Sequence, residues 1–199
     1  MTAGTAGARL TLLVHAPTAA TATAAFPADD PLDARGRTWA REARGSVPHA
    51  SRVLSAPDRA CRETCAILGA APQVDSALRE WDLGGWAGRT LDRVSAECAG
   101  DVGSWLDDPA AAPHGGEPLT ALCTRVRAWM AALPTGHTLA VCGPAVVRAA
   151  VVTVLGAPAT AFWRIDVAPL TVTDLRGGPA RWTVRAAGAP LASREPSVS

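Results

Sequence analysis

The sequence predicts an α/β fold, a three-layer sandwich with a mostly parallel central sheet flanked by helices. Three observations lead there. Apolar runs of strand length stand at 10–14 and 138–142, too short for helices. Helix-like segments separate the strand-like ones, and that alternation builds a parallel sheet covered on both faces. The composition, 48% hydrophobic and 19% charged over 199 residues, is that of one globular domain with a sizeable core.

The elements follow in order. Residues 1–8 are small and polar and read as loose, and 9–14 form the first strand. The stretch 17–31 is a loop punctuated by Pro27, Asp29, Asp30 and Pro31, the aspartates serving as turn formers. A helix is predicted over 33–44 and a short strand over 51–54. Pro57 then opens a helix to Leu68, with Gly69 at its C-cap. Residues 73–78 read as extended. The segment 80–90, with Gly84, Gly85, Gly88, Trp81 and Trp86, reads as a loop held by aromatic packing. A helix over 91–105 is interrupted at Gly100 and Gly103, and 109–118 is a Pro/Gly-rich loop. A helix spans 119–133, a strand 138–142, and a helix runs from Pro144 to Leu155 before Gly156. Residues 163–175 and 181–186 alternate as strands near a sheet edge. The domain closes near residue 187, and 188–199 read as a disordered tail.

Several function classes are excluded by composition. A formal net charge of +1, with every basic side chain an Arg, gives no bulk attraction to nucleic acid or an anionic membrane. No apolar run approaches the ~20 residues of a spanning helix. The run at 10–14 is too short for a signal peptide's apolar core. Five cysteines (Cys61, Cys65, Cys98, Cys123, Cys142) are odd in number and match no disulfide framework or paired zinc motif. Reduced thiols and a cytoplasmic location are the expectation. No phosphate-binding Gly loop or dinucleotide fingerprint occurs, so no nucleotide cofactor is implied. The expected partner is a small-molecule ligand, and a homodimer stays open.

The run Leu12-Leu13-Val14-His15-Ala16-Pro17-Thr18 delivers a histidine to the carboxyl end of a buried strand, where open α/β sheets bind ligands. It resembles Leu-Val-Arg-His-Gly-x-Thr, the first motif of the histidine phosphatase (phosphoglycerate-mutase-like) superfamily. Other segments extend the likeness over 9–187. Residues 26–36 resemble the family's D-x-P-L-T-x-x-G element. Glu80-Trp81-Asp82-Leu83-Gly84-Gly85-Trp86-Ala87-Gly88-Arg89-Thr90 resembles E-x-x-x-G-x-W-x-G-x-T. Gly115-Gly116-Glu117-Pro118 resembles G-G-E-S, and the stretch 140–148 resembles the late strand-to-helix element V-V-S-H-G-G-V-I-R.

In that family a histidine attacks a phosphoryl group, two arginines and a second histidine surround the phosphate, and a carboxylic acid protonates the leaving oxygen. Planar guanidinium groups suit the dianion through bidentate hydrogen bonds. The resemblance assigns the nucleophile to His15 and the proton donor to Glu80, with Thr18 at the substrate. The first arginine position holds Val14 and the second histidine position holds Gly143. A gapless match from Pro57 to Thr64 puts Ala60 at the second arginine position. Counting from Ser55 selects Arg59 instead; the gapless register is preferred. Loss of one such donor costs about 10²–10³ in rate, so a degenerate member is expected.

Each candidate also has an ordinary structural explanation. His15 is otherwise a hydrogen-bonded relic, and Glu80 a solvated loop carboxylate. Cys142, ahead of a helix start, is either a low-pKa thiol or, preferably, a buried inert one. His114 is a surface histidine or a stand-in for the missing one. Trp81 and Trp86 pack the loop or stack on a flat ligand, and Arg148 is expected in a structural ion pair. His49 and His137 fall in connecting turns, with no role assigned.

Three functions fit these residues. One is a small-molecule binder or repurposed acid/base enzyme using His15 and Glu80. The others are a phosphomonoesterase in which Arg59 and His114 substitute, and a non-catalytic interaction module.

Overall fold

The computed structural model describes residues 7–178 and 181–191. The chain runs β1 (Ala8–Val14), α1 (Ala19–Thr23), α2 (Ala34–Glu42), β2 (Arg52–Ser55), α3 (Arg59–Leu68) and β3 (Gln73–Val74). It continues α4 (Leu91–Glu97), α5 (Ala99–Asp107), α6 (Leu119–Ala131), β4 (Gly136–Cys142), α7 (Pro144–Leu155), β5 (Thr171–Gly178) and β6 (Arg181–Pro190).

The six strands form one sheet in the order β3-β2-β4-β1-β5-β6. The first four are parallel, and β5 and β6 join antiparallel. Helices flank this mixed sheet, with α2 against α3 and α6 against α7. Strands β1 and β4 are central, and a central strand covered on both faces must be apolar throughout. That is why Leu10, Leu12, Leu13, Leu139 and Ala140 are all fully buried. Helix α7 is apolar nearly all round because it packs against the sheet, α6 and the six-residue 3₁₀ helix Ala159–Arg164. No helix among the described residues is long and apolar enough to cross a membrane.

Several boundaries differ from the sequence expectation. The helix break in the 91–105 region falls at Cys98, between α4 and α5. Gly100 and Gly103 instead lie within α5, where a side chain would meet open space. Residues 163–175 are not one strand: Ala159–Arg164 is 3₁₀-helical, burying Phe162 among the tryptophans, and β5 starts only at Thr171. The 73–78 segment pairs for two residues, then turns into the 3₁₀ helix Ser76–Leu78, because the Asp75 side chain accepts from the Ala77 N–H. His137 lies inside β4, bonded at 2.9 Å to Thr11 Oγ1 on the neighbouring strand, and not in a turn. Strand β1 begins at Ala8, and β6 continues to Pro190 by pairing with β5, past the expected boundary at 187. Residues 1–6 and 192–199, the remainder of the expected loose ends, lie outside the described residues.

Candidate active site

The site forms where β1, β2 and β4 end side by side. Val14 pairs with Cys142 and Ser55 with Val141, so His15, Ala56 and Gly143 leave the sheet at one edge. The His15 N–H donates to the Cys142 carbonyl at 3.1 Å, and the Ala56 N–H to Val141 at 2.8 Å. Thr64, fully buried on α3, accepts from the Ala16 N–H at 3.0 Å and donates to the Ala60 carbonyl at 2.7 Å. This hydroxyl fixes the turn after His15 against α3.

A narrow cleft of about 30 Å³ opens at this edge, lined by His15, Thr18, Asp29, Asp30, Asp58, Ala60, Cys61, Glu80 and Gly143, with Pro27. The structure thus brings together His15, Glu80, Thr18 and Gly143. It also puts Ala60 on the cleft wall. Three other candidates are not part of that wall. The Arg59 side chain is half exposed and pairs with Glu63 one helical turn on, at 2.8 Å. His114 is buried, and not at the surface: its ring stands edge-on to Trp81 and Trp86, and its Nδ1 accepts from the Gly116 N–H. Cys142 is fully buried, which pushes its thiol well above the ordinary range, so no thiolate forms there. Val14 is likewise in the core.

The geometry of His15 is that of a neutral base. Its Nδ1 lies 2.7 Å from the Ala16 carbonyl, which only accepts, so Nδ1 carries the proton and Nε2 keeps its lone pair. Burial holds its pKa below the usual value, opposed by that hydrogen bond and by Asp58.

Glu80 is in the reverse condition. Burial, reinforced by Asp58, raises its pKa to about 7, against the Trp81 N–H bond to Oε1 at 2.8 Å. Its Oε2 is buried and makes no hydrogen bond of ordinary geometry, although the Ala145 N–H at the start of α7 faces the carboxyl and opposes the rise. Asp58 was not singled out from the sequence. It occupies the N-cap position of α3 but makes no capping bond; its carboxylate accepts instead from the Glu80 N–H, at 3.2 and 3.3 Å. The capping role passes to Asp29, in the left-handed region at φ 57°, whose carboxylate accepts from the Arg59 N–H. A helix N-terminus is a natural anion site, and here the chain's own carboxylate fills it.

Gly143 is coupled to Glu80 directly. A Cβ at residue 143 would lie 1.5 Å from Glu80 Oε2 and 2.6 Å from its Cδ. The carboxyl occupies the space that a side chain at 143 would take. Among the described residues no group of three or more His, Cys, Asp or Glu could hold a metal ion.

The Glu80 loop is held from behind. Glu117 and Arg125 form a nearly buried two-point ion pair, at 2.9 and 2.7 Å. Arg125 also donates to the Ala77 and Arg79 carbonyls, at 2.7 and 3.0 Å, and Trp81 Nε1 donates to the Glu117 carbonyl at 2.6 Å. Gly84 and Gly116 let the two loops touch, since a Cβ at either would lie 2.2–2.3 Å from the facing carbonyl oxygen. The glycines of two separate sequence motifs thus serve one contact.

Comparison with known proteins identifies the family and the fold. The sequence pattern of the histidine phosphatase superfamily (branch 1) matches residues 10–189. A glucosyl-3-phosphoglycerate phosphatase of Mycobacterium tuberculosis is 34% identical over 85 residues, which are 41% of this chain and 38% of that protein. The matched part is thus well under half of the curated relative's length. The enzyme of the same name from Mycolicibacterium vanbaalenii is 34% identical over 91 residues, 44% of this chain and 38% of that protein. Among solved structures, a mycobacterial glucosyl-3-phosphoglycerate phosphatase in complex with VO3 superposes with a TM-score of 0.78 at 26% identity, covering 92% of this chain and 99% of that one. An Escherichia coli structure described as a putative alpha-ribazole-5'-P phosphatase shares the fold, with a TM-score of 0.81 at 24% identity over 92% and 98% of the two chains. With the family pattern spanning nearly its whole length, this chain belongs to the histidine phosphatase superfamily, branch 1.

Proposed function

We propose that this protein has left phosphoryl transfer and uses its cleft for a small molecule without a dianionic group, with His15 and Glu80 as a proton-exchanging pair. The observation that carries this reading is the charge of the wall. Asp29, Asp30, Asp58 and Glu80 line the cleft beside His15, and no Arg among the described residues does. Each ionised carboxylate at about 5 Å from a phosphate charge adds roughly 3 kcal/mol of repulsion at an effective dielectric of about 20. A phosphatase needs the opposite field.

The remaining groups suit proton transfer. Neutral His15 Nε2 accepts a proton, and Glu80, half-protonated near neutrality, supplies one. A phosphomonoesterase remains the second reading, supported by the preserved, oriented His15 and by relatives that are phosphatases. One experiment decides between them. The purified chain and His15→Ala are incubated with p-nitrophenyl phosphate and glucosyl-3-phosphoglycerate, and melting is followed with added vanadate. The proposal expects no turnover that depends on His15 and no vanadate-induced rise in Tm. Turnover that His15→Ala abolishes would overturn it in favour of the esterase.

A further inference from the structure

A second cavity lies beside the His15 cleft and shares Pro27 and Glu80 with it. Its volume is about 170 Å³, and its walls include Trp81, Trp105, Phe162 and Trp163, with Ala145 and Arg148 of α7. The rings brace one another: Trp105 and Trp163 lie 4.5 Å apart at 68°, and Trp81 and Phe162 lie 5.3 Å apart at 75°. Such edge-to-face packing makes a firm wall. An apolar space on the order of 150 Å³ accepts one benzene-sized ring.

Polar groups in this wall lack partners. Trp105 Nε1, Trp163 Nε1 and Arg148 Nε are buried and donate to nothing among the described residues. Buried donors are ordinarily bonded, and leaving one unmet is costly. Arg148 was expected in an ion pair. Among the described residues it forms none, and its guanidinium stands 5.5 Å from the centre of the Phe162 ring. The Arg148 side chain therefore lines an aromatic space with no counter-ion among the described residues.

We propose that this cavity binds a single-ring aromatic carboxylate, its ring among the tryptophans and its carboxylate on Arg148. The fork of a guanidinium matches a carboxylate in shape and charge. An amine would meet the positive charge of Arg148. A phosphate ester would bring a second negative charge towards Glu80, which also lines this cavity. The inference goes beyond the proposal for the His15 cleft and stands without it, because the ring and charge contacts are made by other residues.

The test is titration of the full chain with benzoate, benzyl alcohol and benzylammonium, followed by calorimetry and tryptophan fluorescence. Benzoate should bind at least about tenfold more tightly than benzyl alcohol, the worth of one charge-assisted contact, and benzylammonium should not bind. Arg148→Met should bring benzoate down to the level of benzyl alcohol and leave the alcohol unchanged. Ala145→Leu, which fills the cavity, should abolish both. Benzoate that fails to bind, binds no better than the alcohol, or ignores Arg148→Met overturns the proposal. Should either variant lose its near-ultraviolet circular dichroism, a wild-type crystal soaked with para-iodobenzoate gives the same decision. The iodine must lie among the tryptophans with the carboxylate on Arg148. An iodine peak elsewhere, or none, refutes the site.

Discussion

Glu117 and Glu80 sit on the two touching loops of this protein, and their surroundings are opposite. Behind the loop, Glu117 is nearly buried but fully compensated, gripped at two points by Arg125 and approached by Arg79. In the cleft, Glu80 is buried beside another carboxylate, with one oxygen unbonded. The comparison separates scaffold from chemistry. The loop contact that holds the frame has its charge paired by Arg125, while the carboxyl that faces the cleft has no cationic side chain bonded to it among the described residues. A frame that must stay folded keeps every buried charge paired. A site under different demands tolerates unpaired ones.

The largest expected effect breaks the scaffold side. Arg125→Ala removes one member of a buried pair and also frees the Ala77 and Arg79 carbonyls. It should cost about 3–5 kcal/mol in chemical denaturation, as for other buried pairs that lose a partner. A cost below about 1 kcal/mol would mean that Glu117 is as exposed to solvent screening as a surface pair, and the contrast with Glu80 would fail.

The contrast also governs what could be seen in the sequence. His15, Glu80, Thr18 and Gly143 were legible because motif spacing fixes where strands end, and Ala60 because a gapless register brought it to the same edge. The apolar runs of β1, β4 and α7 were legible because a strand or helix buried all round tolerates few polar side chains. Asp58 was not legible: its role comes from accepting the N–H of Glu80, 22 residues away, a contact created by the fold. The only local sign was an acid at a helix start. His114 looked like a surface loop residue because nothing local shows that Trp81 and Trp86 enclose it. Arg148 misled in the other direction, since a cation in an apolar helix usually implies a partner acid, and none among the described residues pairs with it.

On the cleft side, the protonation of Glu80 ties stability to pH. Native Glu80 holds its proton to about pH 7, whereas an unfolded glutamate releases it near 4.5. Between those values the folded state binds more protons, so stability falls as pH rises through this window and stays low above it. His15, with its pKa lowered in the fold, acts oppositely: its contribution is complete above about pH 6.5 and declines as pH falls below that value. Glu80→Gln removes the Glu80 loss. It should raise Tm at about pH 8 by several degrees, up to roughly 3 kcal/mol of stabilisation, and should gain little below about pH 4.5. Thermal melts across that range check it. An equal effect at both ends would show that Glu80 is not the buried acid described here.

The smallest effect tests the coupling within the cleft. Gly143 has φ −84°, which any residue adopts, so Gly143→Ala carries no backbone penalty of its own. Its Cβ must instead displace the Glu80 carboxyl, whose Oε2 would lie 1.5 Å away and whose Oε1 accepts from the Trp81 N–H. Losing that hydrogen bond is worth about 1 kcal/mol, or about 2–4 °C in Tm for a chain of this size. The same substitution made on Glu80→Ala should cost almost nothing, because the obstacle is gone. A double-mutant cycle in denaturant therefore yields a coupling of about 1 kcal/mol between residues 80 and 143. Additive costs would mean that the carboxyl does not occupy the space above Gly143, and that the absence of a side chain there has a cause unrelated to Glu80.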